Sequence, residues 1–155
     1  MPKFTGTFNE SFTVAASPEA VRAHFLDTDA IIEHFGDLES AEKLDDHTVR
    51  YLMEEQNHGI FSFQGRYTCR YEADGEDGAR WESQGDDGNI WTHGSLTVAP
   101  GDAPGTTKLD YQAEMTLEID LNPMLATALA PVVKASIPSQ MKDYVKRMIK
   151  AAEAK

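Results

Sequence analysis

From Thr107 to Leu121 apolar and polar side chains alternate almost without a break. Leu109, Tyr111, Ala113, Met115, Leu117, Ile119 and Leu121 share one parity; Lys108, Asp110, Gln112, Glu114, Glu118 and Asp120 share the other. A period of two over such a length predicts a half-buried strand. It also fixes the register, because a slip of one residue would expose every apolar side chain. The N-terminal stretch from Phe4 to Ala15 repeats the pattern, with Phe4, Gly6, Phe8, Glu10, Phe12 and Val14 on one side. Between these two lie further strand candidates. Leu38–Leu44 and Thr48–Glu55 flank the turn Asp45-Asp46-His47, and Ala79–Gln84 and Ile90–Ala99 flank Gly85-Asp86-Asp87-Gly88-Asn89. A run with Phe61, Phe63, Gly65, Tyr67, Cys69 and Tyr71 on one parity stands between the pairs.

Two short helices interrupt the strands early. Ser17-Pro18-Glu19 reads as a helix start: a serine hydroxyl can accept from a free backbone N–H, and proline at the first position gives up a donor that had no partner. Ala20, Val21, His24 and Phe25 follow at helical spacing, and a second short helix, Ala30–Phe35, is closed by Gly36. At the other end, Asn122-Pro123 opens a long helix with Leu125, Leu129, Val132 and Val133 on one side. Pro131 and Pro138 are expected to kink or divide it. Beyond them Met141, Tyr144, Val145, Met148, Ile149 and Ala152 form an apolar stripe, with Lys142, Lys146, Arg147 and Lys150 on the other faces. Residues 1–155 thus read as one α+β domain: strand, two short helices, about six strands, one long helix. Only the last helix is long enough to cover the apolar face of the sheet. Phe61, Phe63, Tyr67, Tyr71, Tyr111 and Met115 from the sheet, with Met124, Met141 and Met148 from the helix, either fill the space between them or line a ligand cavity.

Composition narrows the partners. A formal charge of -12 argues against nucleic acid and against anionic lipid surfaces, since phosphate binding relies on clustered cations. Adaptation to high salt would produce the same acidity. Cys69 is the only cysteine, which excludes an internal disulfide and a thiolate cluster. The N-terminus lacks a signal-like apolar core. The longest uncharged stretch, Leu121–Val133, is broken by two prolines and falls short of the ~20 residues of a bilayer span, so a cytoplasmic protein without a transmembrane segment is expected.

Candidate chemistry is sparse. His24, His34, His47, His58 and His93 show no metal-ligand spacing, and no metal, cofactor or catalytic residue is implied. Glu10 shares the apolar parity of its strand, where a carboxylate would need a partner or a raised pKa unless a bulge near Asn9 turns it outward. His93, beside Trp91, is a possible general base, although Ile90, Leu96 and Val98 sit on the opposite parity. Cys69 shares the aromatic face and reads as a small buried hydrophobe.

Residues 11–21 (SFTVAASPEAV), Phe25-Leu26-Asp27, residues 105–111 (GTTKLDY) and the terminal helix together resemble the START-like, or SRPBCC, superfamily of helix-grip proteins, which includes polyketide cyclases. Residues 1–6, 36–40 and 65–67 are most similar to its carbon monoxide dehydrogenase G branch. The resemblance implies a curved antiparallel sheet of about six or seven strands wrapped around the long C-terminal helix. It also implies a cavity between them, gated by the short helices through Ile31, Ile32 and Phe35. It carries over no catalytic residue. Likeness to the dehydrogenase G branch implies handling of membrane-derived quinones or dehydrogenase assembly, often through a C-terminal tail, and the stop at Lys155 argues against delivery by that route. The expectation is therefore a binding or carrier protein for a small hydrophobic ligand of lipid, isoprenoid-quinone or polyketide type. Ile32, Phe35, Phe61, Phe63, Tyr67, Tyr71, Trp91, Met115, Leu125, Leu129 and Met141 are the expected lining, and Glu10, His93 and Tyr111 would set orientation. A cyclase or dehydratase using a cavity carboxylate or histidine, and a protein-interaction module, are the alternatives.

Overall fold

The computed structural model describes residues 1–57 and 59–155. Strand β1 (Lys3–Val14) leads into helices α1 (Pro18–Leu26) and α2 (Thr28–His34). Strands β2 (Leu38–Lys43), β3 (Thr48–Met53), β4 (Gln56–Asn57), β5 (Ser62–Phe63), β6 (Arg66–Asp74), β7 (Gly78–Gln84), β8 (Ile90–Pro100) and β9 (Thr107–Glu118) follow, and α3 (Pro123–Glu153) ends the chain. Seven strands form one antiparallel sheet in the order β1-β9-β8-β7-β6-β3-β2, while β4 and β5 make a small ribbon of their own. The first strand thus joins the last, and α3 returns across the sheet's apolar face.

Local chemistry sets the helix boundaries. The Ser17 hydroxyl accepts from Ala20 N–H at 3.2 Å, with Pro18 behind it. Asp27 closes α1 and caps α2, its Oδ1 accepting from the N–H groups of Asp29 and Ala30. Gly36 takes the left-handed conformation after α2 (φ 83°), and Asn122 caps α3 through Leu125 N–H at 2.9 Å.

Three expectations are corrected. The aromatic run from Phe61 to Tyr71 is not one strand. Asn89 intervenes at the break between β5 and β6: its side chain accepts from Arg66 N–H at 2.8 Å and donates to the Gln64 carbonyl at 2.9 Å. The long helix is neither divided nor ended by Pro131 and Pro138. Each proline removes one backbone bond, but Val133, Ile137, Met141, Val145, Met148 and Ala152 are buried along its length, and that packing outweighs the losses. Met124 and Val132, 82% and 67% exposed, face solvent instead of the sheet.

The helix sits directly on β1. A Cβ on Gly6 would lie 2.7 Å from Ile137 Cβ, so a side chain there is incompatible with the observed approach. Two apolar clusters result. The larger spans β1, β3, β6 to β9, the short helices and the C-terminal half of α3. The smaller, built on Phe4, Ile119, Leu121 and Val133, lies under the N-terminal half of α3. Among the described residues no helix is long and apolar enough to cross a membrane.

Candidate ligand-binding site

All five tyrosines of the chain turn into the larger cluster: Tyr51 from β3, Tyr67 and Tyr71 from β6, Tyr111 from β9 and Tyr144 from α3. The strand positions are those the pleat sends inward, beside Val49, Cys69 and Leu109. Their rings pack in two groups, one around Tyr51 and Tyr67 and one around Tyr111. Phe35 stacks on Tyr51 at 4.5 Å, Tyr51 meets Tyr67 at 5.1 Å, and Trp81 lies 5.0 Å from Tyr111. Phe8 and Phe25 approach the other edges of Tyr111 at 6.0 and 6.1 Å.

The hydroxyls divide into two sets. Those of Tyr51 and Tyr71 pair with each other at 2.7 Å. Those of Tyr67, Tyr111 and Tyr144 have no hydrogen-bond partner among the described residues. They are not sealed, because only His24 there has buried side-chain polar atoms that lack both a partner and accessible surface. The three phenol oxygens therefore touch space that a water-sized group can reach. Burial raises the pKa of every one of these tyrosines, and it lifts the Cys69 thiol to about 12. At neutral pH the interior thus presents protonated, uncharged donors on apolar walls.

Helix α2 covers the tyrosine cluster on one side. Ile31 is 1% exposed, Ile32 packs against the same cluster, and Phe35 packs on Tyr51 and Tyr144. Arg147 of α3 ties the end of α2 to that helix: its guanidinium donates to the carbonyls of His34 and Phe35, each at 2.8 Å. Those carbonyls end a helix and would otherwise lack partners.

Solved structures with the same layout are numerous. A START superfamily protein from Mycobacterium smegmatis superposes with a TM-score of 0.67 at 18% identity, covering 96% of this chain and 97% of that one. The chain has the START-like helix-grip fold. Zhui aromatase/cyclase from Streptomyces sp. R1128 shares the fold with a TM-score of 0.70 at 15% identity, over 96% and 94% of the two chains. Norcoclaurine synthase from Thalictrum flavum does so at 0.58 and 14%, over 97% and 98%. No protein-family model matches the sequence, and no curated protein matches it.

Within the helix-grip frame the sequence candidates separate into three groups. Ile32, Phe35, Tyr67, Tyr71, Tyr111, Met115 and Met141 belong to the tyrosine-bearing cluster. Phe61, Leu125 and Leu129 pack instead on the smaller cluster, and Phe63 touches both. Trp91 and His93 are corrections: they lie on the outer face of β8, because Ile90, Thr92, Leu96 and Val98 take the inward positions. His93 is 65% exposed beside Glu114, and Lys3 Nζ sits 4.8 Å over the Trp91 ring. Glu10 needs a separate account. No bulge turns it, since the β1–β9 register is continuous from Lys3↔Glu118 to Val14↔Thr107. It keeps the inward parity but reaches the rim of the edge strand, where Lys142 of α3 pairs with it at 3.3 Å. His58 lies outside the described residues.

The outer face has a concavity of about 790 Å³, open to solvent and crossed by ion pairs. Arg70 and Arg80 both hold Glu72, at 2.6 and 3.1 Å, and keep its pKa low. Sequence reasoning left Tyr51, Trp81 and Tyr144 out of the candidate lining. The available signal was that every tyrosine in the chain falls on a buried parity or stripe, a bias that apolar packing alone does not require.

Proposed function

We propose that this chain binds a small, neutral, largely apolar molecule between the sheet and α3, and carries it without transforming it. The observation behind this reading is the set of unpartnered phenol hydroxyls of Tyr67, Tyr111 and Tyr144 on an aromatic wall. These hydroxyls have no protein partner among the described residues, and a ligand oxygen beside one would gain a hydrogen bond worth about 0.5–1.5 kcal/mol. The cation that acts on Tyr144, Arg147, is already committed to the carbonyls of His34 and Phe35. A carbonyl, ether or hydroxyl group therefore suits the phenols better than a carboxylate does. Burial of about 300 Å² of ligand surface would contribute on the order of 7 kcal/mol before ordering costs.

The fold supports the reading, since a START superfamily protein and an aromatase/cyclase share it. Lipid, isoprenoid-quinone and polyketide chemistry all meet the stated requirements. The likeness to the carbon monoxide dehydrogenase G branch rests on short sequence segments and favours the quinone. A cytoplasmic setting without nucleic-acid partners belongs to the same proposal, in keeping with one buried, unpaired cysteine and a charge of -12.

The cyclase or dehydratase alternative loses its named acid–base groups. His93 is outside, and Glu10 is paired at the rim. Burial keeps the interior phenols and thiol protonated at neutral pH, so none of them offers a ready base. Mass spectrometry of an organic extract from freshly purified protein tests the proposal. A stoichiometric neutral apolar compound is expected, along with a rise in melting temperature when that compound is returned. An extract free of small molecules, together with no thermal shift from neutral quinones or polyketides, would count against it.

A further inference from the structure

We propose that His24 is a proton-sensitive latch: uptake of a proton by its ring loosens the α1–α2 segment from the end of α3 and opens the tyrosine-lined interior. His24 lies in α1 and is 2% exposed. Neither ring nitrogen has a hydrogen-bond partner among the described residues. A neutral imidazole carries one donor and one acceptor, so both are buried unsatisfied, which the closed arrangement tolerates only while the ring is uncharged.

The surroundings offer little to a cation. Phe25 stands edge-on at 6.2 Å, and the His34 ring of α2 lies at the same distance. The strands beneath α1 turn the uncharged Ala79, Leu96, Val98 and Leu109 inward. Lys155, at the end of α3, adds positive charge. Two carboxylates act in the other direction, Asp27 and Glu33. Asp27, however, is committed to capping α2 through two backbone N–H groups, and Glu33 is 75% exposed. Burial comes first, then Lys155 and His34, and together they hold the pKa of His24 below its usual 6.5.

The direction of the pH effect follows. An opened or unfolded segment takes up a proton near pH 6.5, whereas the closed one resists it. Stability of the closed arrangement is therefore complete above pH 6.5 and is lost as pH falls from there toward the lower, closed-state value. The loss is expected first in α1 and α2, which carry His24 and its ring neighbours Phe25 and His34. That opening admits a ligand rests on the binding proposal above; the loosening itself does not.

Hydrogen exchange at pH 7.5 and 5.5, corrected for intrinsic rates, tests the latch in the wild type and in His24→Phe. Protection of residues 18–34 should fall more than twofold in the wild type at pH 5.5, while residues 107–118 change less than twofold. His24→Phe, which cannot be protonated, should show no such fall. Equal protection at both pH values in the wild type, or an equal loss in the variant, overturns the proposal. Should His24→Phe not fold, imidazole NMR of the wild type decides: titration below 6.5 supports the latch, and titration at or above 6.5 rejects it. Uptake of the neutral probe N-phenyl-1-naphthylamine separates the two proposals. Loosening without faster uptake at pH 5.5 upholds the latch and counts against the binding site.

Discussion

Replacing Gly6 by alanine tests whether α3 is seated on β1 as closely as the structure shows. The new Cβ would stand 2.7 Å from Ile137 Cβ and 2.8 Å from its Cγ2. Ordinary contact begins near 3.4 Å, so the helix or the strand must yield by most of an ångström. The nearest obstruction is a Cβ, fixed to the helix backbone, and no rotamer change removes it. Overpacking of this kind costs about 1–3 kcal/mol, offset by about 0.4–1 kcal/mol because alanine has less freedom than glycine in the unfolded chain. The net loss should be about 1–2 kcal/mol, read as a lower urea midpoint at unchanged slope. Gly65→Ala is the matched control. Its Cβ would also meet atoms at 2.7 Å, but these are Ile90 Cδ1 and Met53 Sδ, the free ends of flexible side chains. That variant should lose less than about 0.5–1 kcal/mol, since such ends can rotate away. A Gly6→Ala protein as stable as the wild type, or a Gly65→Ala protein that is the weaker of the two, would refute the reasoning.

The Tyr51–Tyr71 pair makes a second test: Tyr51→Phe strands the other buried hydroxyl and should cost about 1–3 kcal/mol, whereas adding Tyr71→Phe should cost less than the two single losses summed, as a double-mutant cycle in urea will show. Arg147→Gln removes the clamp on the α2 carbonyls and should raise amide exchange in residues 28–36 severalfold while leaving β9 unchanged. Glu10→Ala breaks an exposed ion pair and should shift stability by less than about 1 kcal/mol, and His93→Ala should leave binding of an apolar probe unaltered. Burial lifts the Cys69 thiol to about 12, so iodoacetamide at pH 8 should not label the native protein and should label it rapidly in urea.

Period-two patterning made the sheet legible, because β1 and β9 are long enough for alternation to settle which side is inward. It also placed Tyr111 and Met115 on the inner face; the parity of Ile90, Leu96 and Val98 carried the signal that His93 and Trp91 face outward, which their expected place in the lining overrode. Glu10 shows where parity stops informing: direction is local, but an edge strand lets an inward side chain reach solvent, and the Lys142 partner comes from another element. The break after Phe63 depended on the Asn89 amide, a contact across 25 residues that no local window contains. Likewise the prolines in α3 were judged by propensity, while packing against β1 decided the outcome. The smaller cluster took Phe61, Leu125 and Leu129 out of the tyrosine-bearing group for a related reason: the helix is long enough to cover two separate apolar patches.

The two tryptophans offer the most direct test of the binding site, since Trp81 faces the tyrosines and Trp91 faces outward. Titrating N-phenyl-1-naphthylamine into ¹⁵N-labelled protein should move the Trp81 indole resonance saturably, while the Trp91 signal, identified with Trp91→Phe, stays in place. Saturable movement of Trp91 with a stationary Trp81 would put the ligand on the open outer face and contradict the interior site.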